Sequence, residues 1–491
     1  MNPNNFYVDF HCHPAMKPYG KSFKGKSAKK NDPNRQRKSS IWHYNPPTLV
    51  DKVLNYVAGL TKFSQSNISA LAYGEVRIIS ASLYPLEKGF VCNKLGKGLA
   101  SDLLSNLVTG LSKKRIDHLQ AMKDYFTDLE DEYQYYRQLS DRFISLEGGS
   151  FRYKLVSGFD EILNDLSNQA NDTVYIILSI EGAHVFNTGL DANKDTAKVS
   201  EVLANIKKVK NWPHPPFFIT LAHHFYNEIC GHAKSLSGFS NALIDQSRGM
   251  DSGFTELGMK VVRSLLDNEK GRRIYIDIKH MSAVSRKAYF DLLDSEYQGE
   301  DIPIIVSHGA VNGLKSLSDR TRAIQTTAGK FREVDINFFD DEIVKIARSN
   351  GMFCLQLDER RVASEAELKN ASGQIKRREI FYYRSRLLWN QIQHIVEVLD
   401  KENLFAWGNM AFGSDFDGII DPLNGFWTAE ELPFLEENLS KHAYNYMNDE
   451  GQNLQNDFNK IKATEIVSRI MCDNGLAFLE RYFTRHQPVI I

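Results

Sequence analysis

The stretch FYVDFHCH (residues 6–13) begins as an apolar, strand-like run and ends in two histidines that are separated by one residue. Side chains alternate along a β-strand, so His11 and His13 are predicted to point in the same direction. A lone buried histidine is more often a packed core residue than a metal ligand. For two histidines on one face, the core role and the metal-ligand role are equally favoured. The residues at the other strand ends decide between these interpretations.

Eight short segments rich in Val, Ile, Phe and Tyr are predicted to be strands. They are Phe6–Phe10, Glu75–Leu83, Val174–Ile180, Phe217–Leu221, Arg273–Ile278, Ile302–Ser307, Gly351–Leu357 and Ala411–Asp415. Most are continuously apolar, as strands buried on both faces should be. Helix-like segments separate most of them, such as FFDDEIVKIARSNG (residues 338–351), with its acidic first turn and terminal glycine. The alternation predicts an α/β fold, a (β/α)8 TIM barrel, with a doubly wound open sheet as the alternative.

Two segments exceed what a minimal barrel requires, and both follow predicted strand ends. Segment 20–46 is basic, with eight Lys or Arg and one Asp between residues 21 and 38. We predict a solvated, mobile loop there, or alternatively a flap that attracts an anionic substrate group. Segment 85–170 has a helical pattern. We expect residues 1–491 to form a single barrel domain with these insertions after strands one and two.

The composition is that of an ordinary globular protein of 491 residues, with 42% hydrophobic and 25% charged residues. The 60 basic and 61 acidic residues balance, which excludes a general attraction to nucleic acid or anionic membrane. No apolar run approaches the ~20 residues of a membrane span, and no secretory signal is visible. The five cysteines are scattered and form no CxxC pair, so we expect a cytoplasmic protein.

Histidines and carboxylates recur at the ends of six of the eight predicted strands. They are His11 with His13, Glu181, His223, His280, His308 and Asp415. The carboxyl ends of barrel strands share one face, so these side chains should converge there. Imidazole together with carboxylate suits zinc, manganese or iron, whereas calcium and magnesium prefer oxygen ligands. The sequence therefore predicts a metal site at the catalytic face of the barrel.

The motifs DFHCH, SIEGAH, TLAHH, IDIKHMS, IPIIVSHGA and GSDFDG occur in this order along the chain. Their order and combination resemble the membrane (renal) dipeptidase family of the amidohydrolase superfamily, over nearly the whole chain. The resemblance implies a (β/α)8 barrel with two divalent metal ions, expected to be zinc. It also implies an enzyme that hydrolyses a small amide, typically a dipeptide.

The resemblance implies roles for individual residues. His11, His13, Glu181, His280 and His308 match the metal ligands, with Glu181 as the carboxylate that bridges the two ions. His223 matches a histidine that contacts the substrate carbonyl oxygen, and Asp415 matches the strand-eight aspartate. In such a site a hydroxide held between the metals attacks the amide, and the aspartate moves its proton to the leaving amine. The histidine would stabilise the developing oxyanion.

The chain departs from the family pattern at three points. The first strand ends in His-x-His instead of His-x-Asp, which leaves the preferred metal open. Lys279 precedes His280 where the family has serine, and by strand alternation we expect it to face the helices. The family's carboxylate-binding arginine follows strand six, where we predict Arg320 or Arg322, with Arg332 as the reserve.

Three functions are compatible with these residues. The first is a metal-dependent dipeptidase, and the second is another amidohydrolase that acts on N-acyl amino acids or lactones. The third is a non-catalytic barrel protein, which the complete set of expected ligands disfavours. The expected partner is a small dipeptide-like substrate, with no nucleic acid and no membrane span, and a homodimer is one compatible assembly.

Overall fold

The computed structural model describes residues 6–23, 29–58, 61, 63–92, 111–167, 172–236, 244–449 and 454–484. The strands are β1 (Tyr7–Cys12), β2 (Val76–Leu83), β3 (Ile144–Leu146), β4 (Gly149–Leu155), β5 (Thr173–Glu181), β6 (Phe218–Thr220), β7 (Tyr275–Asp277), β8 (Ile305–Gly309), β9 (Met352–Leu355) and β10 (Met410–Phe412).

Eight of these strands form a nearly closed parallel barrel in the order β1, β2, β5, β6, β7, β8, β9 and β10. The last strand returns to the first, because the Asp415 N–H donates to the His11 carbonyl (2.8 Å) and the His13 N–H donates to the Phe416 carbonyl (2.9 Å). Each of the eight predicted strands corresponds to one barrel strand. The predicted TIM barrel is confirmed.

The helices lie between and around the strands. They are α1 (Met16–Lys21), α2 (Leu49–Ala58), α3 (Ile68–Tyr73), α4 (Lys113–Gln120), α5 (Tyr125–Arg137), α6 (Phe159–Ser167), α7 (Val199–Lys210), α8 (Glu256–Leu266), α9 (Ala283–Glu296), α10 (Asp340–Arg348), α11 (Glu359–Val362), α12 (Glu365–Asn370), α13 (Arg377–Lys401), α14 (Leu432–Asn448), α15 (Ala463–Ser468) and α16 (Asn474–Tyr482). Among the described residues, no helix combines the length and the apolar character needed to cross a membrane.

Local sequence fixes where several barrel helices begin. The Thr255 hydroxyl accepts the Gly258 N–H (2.9 Å) at the start of α8, and the Ser282 hydroxyl accepts the Ser285 N–H (3.0 Å) at the start of α9. Such caps satisfy backbone donors that the helix itself leaves unpaired. Helix α10 begins with three acidic residues, as predicted, and their charge is favourable at a helix N-terminus.

The insertion after β2 contains more than the predicted helices. Strand β3 pairs antiparallel with β4, and β4 then runs parallel to the first half of β5. Strand β6 pairs with the second half of β5, so β4 lies beside the lower part of the barrel wall. Alternation in the short stretches 144–146 and 149–155 is too weak to have predicted this hairpin from the sequence.

The described part of the basic segment is the predicted solvated loop only in part: residues 34–38 are mostly exposed, but the residues on either side are attached to the fold. Ile41 and Trp42 are completely buried, and the Asn31 side chain lies inside the fold. The Asn31 amide donates to the Tyr135 carbonyl (3.1 Å) and its oxygen accepts the Ile41 N–H (3.1 Å). These contacts attach the segment to helix α5. The prediction considered the charges of the segment and did not take into account its two large apolar residues, Ile41 and Trp42.

A buried ion pair joins helices α9 and α10, which precede and follow strand β8 in the chain. The Arg286 guanidinium is fully buried and binds Glu342 through Nε (2.6 Å) and Nη2 (3.0 Å). It also donates to the carbonyls of Met281 and Asp335, both at 2.9 Å. Arg286 therefore holds the long loop after β8 against the barrel.

Replacing Arg286 with Met should lower the free energy of unfolding by ~3–5 kcal/mol, because Glu342 would stay buried without its cation. The matched control is Arg263→Met, which removes a similar contact to Glu296 (2.6 Å) whose side chains are 46% and 39% exposed. That change should cost only ~0–1 kcal/mol. Urea unfolding followed by circular dichroism measures both values. Equal losses in the two variants would contradict the importance of burial for the Arg286 pair.

Candidate metal centre and active site

The carboxyl ends of the barrel strands bring all five predicted metal ligands together around Glu181. Its Oε2 lies 3.1 Å from His13 Nε2, and its Oε1 lies 3.5 Å from His11 Nε2. The Nε2 atoms of His280 and His308 lie 3.6 and 3.7 Å from the same Oε1. All five side chains are buried, and Glu181 Oε1 has no hydrogen-bond partner among the described residues.

The spacing of these donor atoms fits metal ions. His11 Nε2 and His13 Nε2 are 3.2 Å apart, as are His280 Nε2 and His308 Nε2. Zinc ligands at ~2.0–2.1 Å in a tetrahedral shell lie about 3.3 Å from one another. The distances from Glu181 Oε1 to His11, His280 and His308 (3.5–3.7 Å) are long for hydrogen bonds but agree with ligands that share a cation. The donor set, imidazole nitrogen with carboxylate oxygen, also suits zinc.

A chain of hydrogen bonds below the site fixes the tautomer of His308. The Ser307 hydroxyl donates to Asp277 (2.5 Å), so it must accept the hydrogen on His308 Nδ1 (2.9 Å). Asp277 also accepts the Thr220 hydroxyl (2.5 Å), and burial raises the pKa of its carboxyl. With Nδ1 protonated, His308 Nε2 carries a free lone pair, which is the state that metal binding requires.

Asp415 faces the same centre from the end of β10. Its Oδ1 lies 3.7 Å from His11 Nε2 and 3.8 Å from His13 Nε2, and its Oδ2 lies 3.8 Å from His308 Nε2. Burial, followed by the charge of Glu181, raises the pKa of the Asp415 carboxyl well above its usual range. The backbone at Asp415 is left-handed (φ 59°), which turns the side chain into the cavity.

His223 is held by a carboxylate that sequence reasoning missed. Its Nδ1 contacts Glu87 Oε2 (2.7 Å), while its Nε2 lies 3.5 Å from Glu181 Oε1. Glu87 also accepts the Phe225 N–H (3.1 Å) and the Tyr84 hydroxyl (3.1 Å). Burial opposes the charged imidazolium, but Glu181 and then Glu87 raise the pKa of His223 above its usual value. Glu87 lies four residues past the end of β2, and no motif marks it.

His224 lies beside the centre and was also missed. Its ring nitrogens come within 4.8 Å of those of His223 and His280, and its Nδ1 contacts the Ser235 hydroxyl (2.6 Å). Burial and the neighbouring His223 hold the pKa of His224 well below its usual value. The doubled histidine in TLAHH was the signal that could have indicated it.

Lys279 lines the cavity, contrary to the expectation that it faces the helices. Strand β7 ends at Asp277, and His280 has a left-handed backbone (φ 65°), so simple alternation does not extend to these residues. Lys279 is 1% exposed, and its Nζ has no hydrogen-bond partner among the described residues. Burial and the positive charge of Arg361 lower the pKa of Lys279 to about 7.

The predicted carboxylate-binding arginines lie outside this cavity. Arg320 and Arg322 are exposed and pair with Asp335 (2.9 Å) and Glu333 on the same loop. The reserve candidate Arg332 pairs with Glu365 (3.1 Å). None of the three lines the cavity that contains Glu181, so the geometry gives their predicted role no support.

Two other arginines do line the cavity, and both belong to α11, which follows β9. Arg360 is neutralised by Asp358 (2.7 Å). Arg361 donates to the Ser235 carbonyl and has no carboxylate within ion-pair distance among the described residues. Burial lowers the pKa of Arg361 to about 10, so its guanidinium stays charged at neutral pH.

Comparison with known proteins gives a result for the fold only. No protein-family model matches the sequence, and no curated protein matches it. Among solved structures, the dipeptidase AC, a metallopeptidase of family M19, aligns with a TM-score of 0.50 and 12% identity over 98% of this chain and 99% of that one. The chain shares the fold of an M19 dipeptidase. This is the fold that the motif resemblance implied.

Two further structures align less closely. The probable dipeptidase PvdM from Pseudomonas aeruginosa gives a TM-score of 0.48 and 12% identity, over 86% of this chain and 90% of that chain. A metallopeptidase from Rhodobacter sphaeroides, liganded with a phosphinate mimic of L-Ala-D-Ala, gives 0.46 and 13% identity over 88% and 94%. At these identities activity must be argued from the residues of this chain.

The metal assignment predicts that His280→Ala binds fewer divalent ions than the wild type, because one of the paired imidazoles is removed. The control is His442→Ala, which removes a buried histidine that contacts the Ser385 hydroxyl (2.9 Å) away from the cavity. Mass spectrometry of acid-digested protein, normalised to protein concentration, measures the ions. Equal metal content in the His280 variant and the wild type would disprove the assignment.

Proposed function

We propose that this protein is a metal-dependent hydrolase that cleaves the amide bond of dipeptide-like substrates. The observation that carries the proposal is the buried Glu181, which four imidazoles surround and Asp415 faces at the carboxyl end of a parallel barrel. A carboxylate buried among this many potential ligands is stable only with cations or protons between them. The resemblance of the motifs supports the same assignment.

His11, His13, Glu181, His280 and His308 would hold two divalent cations, and their donor types suit zinc. Bound ions of this kind polarise a carbonyl group and lower the pKa of bound water towards neutrality. Ser307 and Asp277 keep the His308 ring in the required tautomer. The protein thus contributes the position of each ligand and, at His308, its protonation state.

Asp415 is proposed as the general base and acid. It lies near the ligands on one side and lines the open cavity on the other. From this position it can take a proton from the attacking water and deliver it to the amine nitrogen as the amide bond breaks.

His223 is proposed to bind the carbonyl oxygen of the scissile amide. Glu87 occupies its Nδ1, so Nε2 can donate a hydrogen bond only when the ring is protonated. The contact with the Glu87 carboxylate favours that form. A donor at this point stabilises the negative charge that develops on the oxygen during attack. Glu87 is the positioning residue that fixes the ring.

Arg361 is proposed to bind the free carboxylate of the substrate, in place of Arg320 and Arg322. It lines the cavity, is charged, and has no carboxylate partner among the described residues. A guanidinium suits this task because its planar fork matches a carboxylate. The same guanidinium would also bind the carboxylate of an N-acyl amino acid. The substrate tests must therefore distinguish a dipeptidase from a hydrolase of N-acyl amino acids or lactones.

Asp415→Asn should keep its metal and lose ~10²–10⁴-fold in kcat, because an amide cannot accept the proton. Asp417→Asn is the control, since Asp417 lies two residues away and accepts hydrogen bonds from the N–H groups of Gln65 (3.0 Å) and Ser66 (2.8 Å) instead. The kcat of folded, metal-loaded Asp417→Asn should lie within about tenfold of the wild-type value. Near-normal turnover in metal-loaded Asp415→Asn would remove Asp415 from the mechanism.

Arg361→Met should reduce the preference for a dipeptide over its C-terminal amide by about 10- to 100-fold, the worth of one charge-assisted pair. Arg320→Met and Arg322→Met are the controls and should keep the preference. The assay compares kcat/KM for a dipeptide, its amide, an N-acyl amino acid and a lactone. Cleavage of only the acylated amino acid or the lactone would favour the second function, and no cleavage at all would favour a non-catalytic barrel.

A further inference from the structure

Lys279 has no role in the proposed reaction, yet its side chain ends in the active-site cavity. It is 1% exposed, lines the cavity beside His280, and its Nζ has no hydrogen-bond partner among the described residues. A buried ammonium group without a partner is strongly unfavourable. An anionic group that enters the cavity would supply the missing partner.

Arg361 approaches the same region from the neighbouring side of the barrel. Lys279 follows β7 and Arg361 follows β9, and these two strands flank β8 in the sheet order. Both side chains line the cavity that contains Glu181. Two basic side chains are therefore held in one sector of the cavity.

The other charges that line the cavity are already matched. Arg360 binds Asp358 through Nε (2.9 Å) and Nη2 (2.7 Å). Glu181 and Asp415 face the imidazoles and, under the proposed function, the metal ions. Among the described lining residues, Lys279 and Arg361 remain without a carboxylate of their own. A dipeptide with a neutral side chain offers one carboxylate to this pair of cations.

We propose that the cavity selects substrates whose amine-side residue is aspartate or glutamate, with Arg361 binding the α-carboxylate and Lys279 binding the side-chain carboxylate. This inference rests on the proposed function. Both carboxylates belong to one residue and are separated by a few bonds, which agrees with two cations in one sector. A dipeptide X-Glu and an N-acyl glutamate present the same two carboxylates. The substrates tested must therefore distinguish dipeptides from N-acyl amino acids.

The kinetic test compares Ala-Glu with Ala-Gln, and Ala-Asp with Ala-Asn, since each pair differs in charge and little in shape. N-acetyl-Glu and N-acetyl-Gln form the second arm. The wild type should favour the acidic member by about tenfold or more in kcat/KM, mainly through KM. In Lys279→Met this ratio should fall towards one, whereas Lys279→Arg should restore part of it. Lys315→Met, an exposed lysine paired with Asp319 (3.3 Å), is the control and should keep the ratio.

A binding test needs no turnover and therefore separates this inference from the proposed function. Glutarate carries two carboxylates, butyrate carries one, and neither has an amide bond. Calorimetric titration of the metal-loaded protein should show about tenfold tighter glutarate binding to the wild type than to Lys279→Met. Butyrate should bind both proteins equally.

The outcomes separate the two proposals. Hydrolysis of dipeptides with equal kcat/KM for Ala-Glu and Ala-Gln would overturn the inference and leave the proposed function standing. Lys279-dependent glutarate binding without hydrolysis of any amide would support the inference as a binding property and overturn the hydrolase assignment. Glutarate binding that is the same in the wild type and in Lys279→Met would overturn the assignment of Lys279.

Discussion

The buried carboxylate of Glu181 is the constraint on which the site depends. Strand β5 carries it to the centre of the barrel mouth, and each of its nine residues is buried. The Nε2 atoms of five histidines lie within 3.7 Å of this carboxylate. Such a group is too costly to bury in the absence of positive charge. The barrel can therefore close around Glu181 only because the same face surrounds it with imidazoles, which can carry protons or, as we propose, hold cations.

The backbone at this face departs from strand geometry where side chains must converge. His280, Asp415 and Ile419 all have left-handed φ angles (65°, 59° and 64°), and Ile419 is β-branched, for which this region is strongly disfavoured. Such strain persists only where neighbouring contacts enforce it. Asp417 provides them in the β10 loop, since it binds Lys17 Nζ (2.8 Å) and the N–H of Ser66 (2.8 Å).

The sequence predicted what regular periodicity encodes. Continuous apolar runs located all eight barrel strands, and the residue that ends each run then gave the convergent set around Glu181. The sequence did not indicate Glu87 as a site residue, because it lies in a loop and contacts His223, which is 136 residues away in the chain. The direction of Lys279 was predicted wrongly because the alternation of side chains along a strand does not continue past the end of β7, where the backbone is no longer a strand. Residues outside regular elements need coordinates, since their direction depends on tertiary contacts.

The geometry does not support the predicted arginines, for a related physical reason. Substrate binding depends on where a charge lies in space, not on its position along the chain. The barrel brings the loops after β7, β8 and β9 to one side of the cavity. A cation can therefore serve the same space from any of these loops. On the loop after β8, Asp335 and Glu333 already neutralise Arg320 and Arg322 at the surface. The basic side chains that have no carboxylate within ion-pair distance among the described residues lie one strand away on either side, at Lys279 and Arg361, and an anionic substrate that enters the cavity would meet them there.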